Sequence, residues 1–251
     1  MSGLITYQMF IDGQWVDAAD GGCFESIDPS TGEAWAMVPE ATAADVERAV
    51  KAAERVIYEG PWANMTPTER GKYLRRLGDL LADKSEDLGR IETRDTGKMF
   101  AETRWQAKYI AEFFHFYAGA ADKIDGKTLP IDKPDMFVFT DREPIGVVAA
   151  IVPWNSQLFL SAVKIGPALA AGNAIVVKAS EHGAAPMLEF GKLIQQAGIP
   201  DGVVNIITGH GDPCGKTLTS HPSVARVSFT GGPASAAQVI RNTAENFAEI
   251  S

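Results

Sequence analysis

The hydrophobic pattern of this chain changes character near residue 146. Before that point, apolar positions recur at helical spacing over long stretches; after it, short apolar runs of strand length alternate with amphipathic segments. Gly146–Val152 is an unbroken apolar run, which suits a strand covered on both faces. Pro153 ends it and leaves Trp154 and Asn155 at its carboxyl end. Further strands are predicted at Ala174–Val177, Val203–Thr208 and Arg226–Phe229, with helices at Leu158–Ala171, Pro186–Ala197, Pro213–Thr219 and Ala234–Glu245. Gly172-Asn173, and Gly198 with Pro200, act as helix stops. The alternation predicts an α/β fold with a parallel sheet and right-handed crossovers, whose ligands sit at the carboxyl ends of the strands. Phe247–Ser251 reads as the start of one more strand.

The preceding part carries clear punctuation. Met9-Phe10-Ile11 and Gln14-Trp15-Val16 flank Asp12-Gly13, the dipeptide favoured in two-residue hairpin turns. A turn at Asp28-Pro29-Ser30-Thr31-Gly32 leads to a short strand, Ala34–Val38. Thr42 caps a helix reaching Tyr58, with Asp45 three residues on and Val46, Ala49, Val50 and Ala53 as its apolar stripe. Thr66 and Pro67 open a second helix through Leu74, Leu77 and Leu81 to Leu88. A third, Met99–Ala121, bears Trp105, Tyr109, Phe113, Phe116 and Tyr117 at helical spacing. Base stacking would need basic residues around that stripe, so it is assigned to the core. Asp122–Pro134 reads as a connector, followed by a strand at Met136–Asp141 with Phe137 and Phe139 on one face.

Composition narrows the function classes. The 251 residues hold 45% apolar and 22% charged residues, ordinary for a soluble globular protein. A net charge of −9 argues against a nucleic-acid partner. Two cysteines make no disulfide framework, and the sequence has neither a signal-peptide pattern nor a membrane-length apolar run, so a cytoplasmic location is expected. His115, His182, His210 and His221 have no metal-ligand spacing, and no G-x-S-x-G elbow occurs.

Three strand-end motifs carry candidate chemistry. Gly209-His210-Gly211-Asp212-Pro213-Cys214-Gly215-Lys216-Thr217 misses the dinucleotide fingerprint by one residue, and misses a P-loop by one as well. A plain strand-to-helix turn and a P-loop-like ATP site both stay open for it. Phe229-Thr230-Gly231-Gly232-Pro233 offers free amides at a helix start, which favour an anion. Lys178-Ala179-Ser180-Glu181 places a carboxylate where a ribose diol would be held and a 2′-phosphate repelled.

Together with Pro153-Trp154-Asn155, Pro167–Asn173, Asp28–Glu33 and Pro39–Thr42, these motifs resemble, in order and spacing, the NAD(P)-dependent aldehyde dehydrogenases. The resemblance covers essentially the whole chain. It implies a parallel Rossmann-type sheet with N-terminal helices and a small oligomerisation arm. The expected division is 1–121, a hairpin and helical part of the cofactor domain; 122–145, the arm; and 146–251, the dinucleotide-binding part. It also implies roles. Asn155 matches the oxyanion-hole amide and Lys164 a lysine of the charge relay. Val152, Pro153, Trp154, Lys178, Ser180, Glu181, Gly211, Gly215, Phe229, Thr230, Gly231 and Gly232 match the surroundings of NAD, with NADP as the second option. Ser156, Phe159, Leu160 and Val163, on one helix face, would line an aldehyde tunnel suited to an apolar or aromatic aldehyde; the same stripe would equally serve as core. The parent would be a homodimer or homotetramer that oxidises an aldehyde to an acid through a cysteine thioester. The family's Glu-Leu-Gly-Gly base motif and its nucleophilic cysteine are absent from these 251 residues, and neither Cys23 nor Cys214 stands in the nucleophile's context. The chain is therefore expected to bind cofactor without turnover, as the N-terminal half of such an enzyme. A non-catalytic nucleotide-binding module is the alternative.

Overall fold

The computed structural model describes residues 3–251. A short strand, β1 (Ile5–Thr6), precedes the hairpin of β2 (Met9–Ile11) and β3 (Gln14–Val16). Asp12 (φ 54°) and Gly13 (φ 73°) both adopt left-handed backbone at its turn, as a type I′ turn requires. β4 (Cys23–Asp28) then pairs antiparallel with β5 (Glu33–Pro39), and β1 runs parallel along the other side of β5. β4 is not foreshadowed by the hydrophobic pattern. Its inward-facing positions are Phe24, Ser26 and Asp28, so two of three are polar and the alternation carries little hydrophobic signal.

α1 (Ala43–Tyr58) starts at a capping box in which Thr42 and Asp45 satisfy each other's backbone amides. After a single turn, α2 (Gly60–Ala63), the Thr66–Glu69 box opens α3 (Pro67–Asp83). The helix expected to reach Leu88 is two helices. The chain bends at Lys84 (φ −99°, ψ 7°) and restarts as α4 (Ser85–Thr96). Leu81 and Leu88 lie seven residues apart, so their apolar spacing continues through the bend and hides it.

α5 (Phe100–Ala120) corrects a second expectation. Most of its aromatic stripe is not core: Trp105 is 58% exposed, Tyr109 42% and Phe116 67%, while Tyr117 does pack against the core. The buried face is instead Thr103, Ala107, Ile110, Ala111, Phe114 and Ala118. Glycines on the neighbouring helices explain the choice. A Cβ on Gly71 would stand 2.6 Å from the Ala118 carbonyl oxygen, and one on Gly89 2.8 Å from the Arg104 Cα. α3 and α4 therefore meet α5 at backbone distance beside Ala118 and Arg104, where a bulky side chain between the helices would not fit.

Residues 122–145 contain more strand at one end and less at the other than expected. β6 (Thr128–Leu129), within the predicted connector, pairs antiparallel with β7 (Val138–Phe139), shorter than the predicted strand. Phe137 and Phe139 are both exposed, their rings 5.8 Å apart.

The second half follows its pattern closely: β8 (Val147–Ile151), α6 (Gln157–Ala170), β9 (Ala174–Lys178), α7 (Ala185–Ala197), β10 (Val204–Ile207), α8 (Lys216–Ser220), β11 (Val224–Phe229), α9 (Pro233–Asn242) and β12 (Glu249–Ile250). The helix expected from Pro213 starts at Lys216, because Gly211–Gly215 forms a looser turn before it. The main sheet runs β12-β11-β8-β9-β10-β2-β3. Its first five strands are mutually parallel, and the β2–β3 hairpin adds an antiparallel edge. α6 and α7 pack on one face, backed by α3–α5, while α1 and α8 cover the other. β8 and β9 are buried almost end to end, which accounts for their unbroken apolar runs.

Candidate functional site

From β8 the chain moves outward to β9 and β10, then returns to lay β11 on the opposite side of β8. β8 and β11 stay paired to their ends, Phe229 opposite Ile151, and the connections that leave them run in opposite directions along the sheet; such a switch point opens a crevice. Here it is a cleft of about 630 Å³. β8 contributes Val152, Pro153 and Trp154 beyond its end; β9 contributes Lys178 and, from its loop, Ser180 and Glu181. Gly211 and Gly215 form one rim, and Phe229, Thr230, Gly231 and Gly232 come from the end of β11. Residues from four separate sequence segments, all singled out by motif, therefore meet in one cavity. No motif marks its remaining wall, made by Thr219 of α8 and Ser235, Gln238, Val239 and Asn242 of α9. Those helix positions carry no local signature beyond amphipathic spacing.

The cleft is polarised. Lys178, buried, pairs with Glu181 at 3.0 Å. Burial raises the Glu181 pKa, but the Lys178 charge and hydrogen bonds outweigh it, and the carboxyl ends below its ordinary range. Across the cavity no side chain caps α9, which begins Gly232-Pro233. Its first-turn amides are thus available to an anion. A Cβ built on Gly211 or Gly232 would meet no protein atom within 4 Å, so open space lies beside both backbones.

The other half of the site follows β8. Trp154–Ser156 forms a single 3₁₀ turn with Asn155 exposed. Lys98 fixes this turn: its ammonium donates to Ser156 Oγ (2.8 Å) and Gln106 Oε1 (2.8 Å) and pairs with Glu102 (3.1 Å). Phe159 stacks on Tyr109 (6.2 Å, 12°) and meets Phe113 edge-on (5.6 Å), while Trp105 stacks on Tyr109 (5.0 Å, 9°). The exposed stripe of α5 and Phe159 of α6 thus form one aromatic wall. Trp105, Tyr109 and Phe113, expected in the core, instead stand beside Phe159 next to the Trp154–Ser156 turn, and their shared spacing is the signal that groups them. Leu160 is half-buried on the same helix. Val163 lies apart, bordering a smaller cavity with Lys164, Arg226 and Ser228.

Lys164 is nearly buried and spans from α6 to the end of β11, where its ammonium donates to Ser228 Oγ (3.0 Å) and Thr230 Oγ1 (2.9 Å). Burial lowers its pKa. Cys214 is fully buried and its thiol is pushed up to about 12, so it is inert as a nucleophile. Among the described residues no cluster of His, Cys, Asp or Glu could hold a metal ion.

Comparison with known proteins agrees with this geometry. The aldehyde dehydrogenase family model matches residues 15–251. The chain is 55% identical to (Z)-2-((N-methylformamido)methylene)-5-hydroxybutyrolactone dehydrogenase of Acinetobacter baylyi, over 98% of this chain and 50% of that protein. It is 43% identical to aldehyde dehydrogenase family 2 member C4 of Arabidopsis thaliana, over 89% of this chain and 45% of that protein. The fold matches the NAD+ complex of an aldehyde dehydrogenase from Bacillus cereus with a TM-score of 0.95 at 37% identity, covering 98% of this chain and 50% of that one. The chain thus spans about half the length of the curated relatives it matches. A family match over nearly all its residues, on a fold that gathers the same motifs into one cleft, means that the chain belongs to the aldehyde dehydrogenase family.

Proposed function

We propose that this chain binds NAD in the switch-point cleft and orients an apolar or aromatic aldehyde beside it. It would be the cofactor-binding half of an enzyme that oxidises aldehydes to carboxylic acids through a cysteine thioester. The convergence of Trp154, Lys178–Glu181, Gly211–Gly215 and Phe229–Gly232 on one cleft carries this reading. The residues present fit the cofactor. Glu181, held ionised by Lys178, suits a ribose diol and repels a 2′-phosphate; the α9 amides, with Gly232 open beside them, suit a pyrophosphate. When bound, NAD supplies the acceptor for the two electrons the aldehyde loses.

The chain's own residues bind and orient. Asn155, on a turn fixed by Lys98 and Ser156, presents its side-chain amide to the aldehyde oxygen, where charge builds up as a nucleophile adds. Lys164 fixes Thr230 and hence the backbone entering α9. Phe159, Tyr109 and Phe113 hold the apolar body of the substrate. The thioester step would in addition need a nucleophilic cysteine and a general base. In the whole protein, the 122–145 arm, with Phe137 and Phe139 exposed, joins copies into a dimer or tetramer.

Calorimetric titration of the 251-residue chain tests the reading. NAD should bind at least about tenfold more tightly than NADP or ATP, one ion-pair or hydrogen-bond difference being worth about that factor. Glu181→Gln should narrow the gap between NAD and NADP. Tighter binding of ATP than of NAD, or aldehyde turnover by this chain at ordinary dehydrogenase rates, would refute it.

A further inference from the structure

Gln157 is the first residue of α6, and its side chain is fully buried. Both ends of its amide engage one loop. Oε1 accepts from the Ser180 backbone amide (3.0 Å), and Nε2 donates to the Gly183 carbonyl oxygen. That loop, residues 179–184, joins β9 to α7 and presents Ser180 and Glu181 to the cleft. Gly183 (φ 151°) leaves space that the glutamine occupies: a Cβ there would stand 3.3 Å from Gln157 Nε2 and 3.1 Å from Thr96 Cγ2. On its backbone side, Gln157 is only two residues from Asn155. The buried Glu92 carboxylate faces the Gln157 and Leu158 amides, and no side chain of its own caps α6. Gln157 thus touches the ribose-side loop through its side chain and carries the aldehyde-side turn on its main chain.

We propose that Gln157 is a positioning residue that couples the two half-sites, so that occupation of the Ser180–Glu181 loop is transmitted to the turn bearing Asn155. This rests on the function proposed above. The coupling is a physical chain of two hydrogen bonds made by a fully buried side chain and one peptide turn that leads from it to the surface. An apolar replacement would leave the Ser180 N–H and the Gly183 carbonyl unpaired, a loss that buried backbone groups do not tolerate cheaply.

Hydrogen exchange of the 251-residue chain, read by mass spectrometry with and without NAD, tests the coupling. In wild type, NAD should slow exchange in both 178–184 and 154–158. In Gln157→Leu it should slow only 178–184, and the NAD dissociation constant should rise about tenfold. Gln157→Met, unbranched and close in shape, is the second variant should leucine prevent folding. Leu77→Ala, in the core of α3, is the control for general destabilisation and should keep both responses. Continued response of 154–158 to NAD in a folded Gln157 variant would overturn the proposal. If wild type binds no NAD, the function reading falls separately, and a ligand-free perturbation decides the link. Glu181→Gln should then change exchange at 154–158 in wild type but not in a folded Gln157 variant. Silence of 154–158 toward Glu181→Gln in wild type would count against the coupling, whichever Gln157 variants fold.

Discussion

Glu92 is fully buried on α4 and neither carboxylate oxygen has a hydrogen-bond partner. Burial pushes its pKa from the ordinary 4.5 up to about 7; Lys98 and the Gln157 and Leu158 amides oppose the rise without cancelling it. The sign of the linkage follows from this. Between those two pH values the folded chain keeps a proton that the unfolded chain has lost, so stability falls as pH rises from 4.5 towards 7. Above pH 7 the fold carries an ionised carboxylate in its interior. At roughly 1.4 kcal/mol per pH unit the loss amounts to about 3 kcal/mol. Glu92→Gln keeps the shape and removes the titration. Its stability relative to wild type should therefore improve by about 3 kcal/mol between pH 4.5 and pH 8.5, or roughly 6–12 °C in melting temperature for a domain of this size. Urea unfolding of both proteins across that range, followed by circular dichroism, gives the comparison as a difference of differences. This removes any fixed offset between glutamine and protonated glutamate. Parallel stability curves would refute the reasoning, and so would a wild type that gains on the variant as pH rises.

Other consequences can be checked on the same material. Asp95 is buried and accepts hydrogen bonds from Ser26 Oγ, Trp35 Nε1 (3.0 Å) and the Ala185 amide (2.9 Å), tying β4, β5 and the start of α7 together. Asp95→Ala leaves three donors unmet and should cost about 3–5 kcal/mol in urea unfolding, whereas a loss under 1 kcal/mol would mean that water replaces the carboxylate. Iodoacetamide should label exposed Cys23 in the native chain and leave buried Cys214 unmodified until denaturant is added; equal labelling of the two by mass spectrometry would contradict the inert state assigned to Cys214. In the whole enzyme, Phe159→Ala should raise the KM for an aromatic aldehyde about tenfold while changing that for a two-carbon aldehyde little, since it removes one face of the aromatic wall. Equal effects on both substrates would place Phe159 in the core alone.

The second half of the fold was legible because its strands are buried on both faces. Val147–Ile151 and Ala174–Lys178 have no exposed side to interrupt the apolar run, and glycines mark the helix ends between them. The first half hides more, for physical reasons. β4 turns Ser26 inward because Asp95 waits there to accept its hydroxyl, so a tertiary hydrogen bond replaces the hydrophobic signal. The bend at Lys84 keeps the seven-residue spacing of Leu81 and Leu88 and leaves the periodicity intact. For β4 the deciding partner, Asp95, lies 69 residues away in sequence.

The same contrast divides the site itself. Its cofactor half is written in short contiguous motifs, because each strand end delivers its residues locally and the sheet alone brings them together. The half proposed for the aldehyde depends on which way α5 faces, and the sequence of α5 does not decide that. Two faces compete for burial: an aromatic stripe with the larger apolar area, and a face of Thr103, Ala107, Ile110, Ala111, Phe114 and Ala118 with less. Area alone favours the aromatics. The second face wins because Gly71 and Gly89 let α3 and α4 approach the α5 backbone to distances that no tryptophan or tyrosine would allow. Trp105 and Tyr109 are thereby turned outward onto Phe159, where they can meet a ligand. Replacing those glycines with alanine should thus affect the aromatic wall as well as stability, since α5 would be pushed away from the helices that orient it.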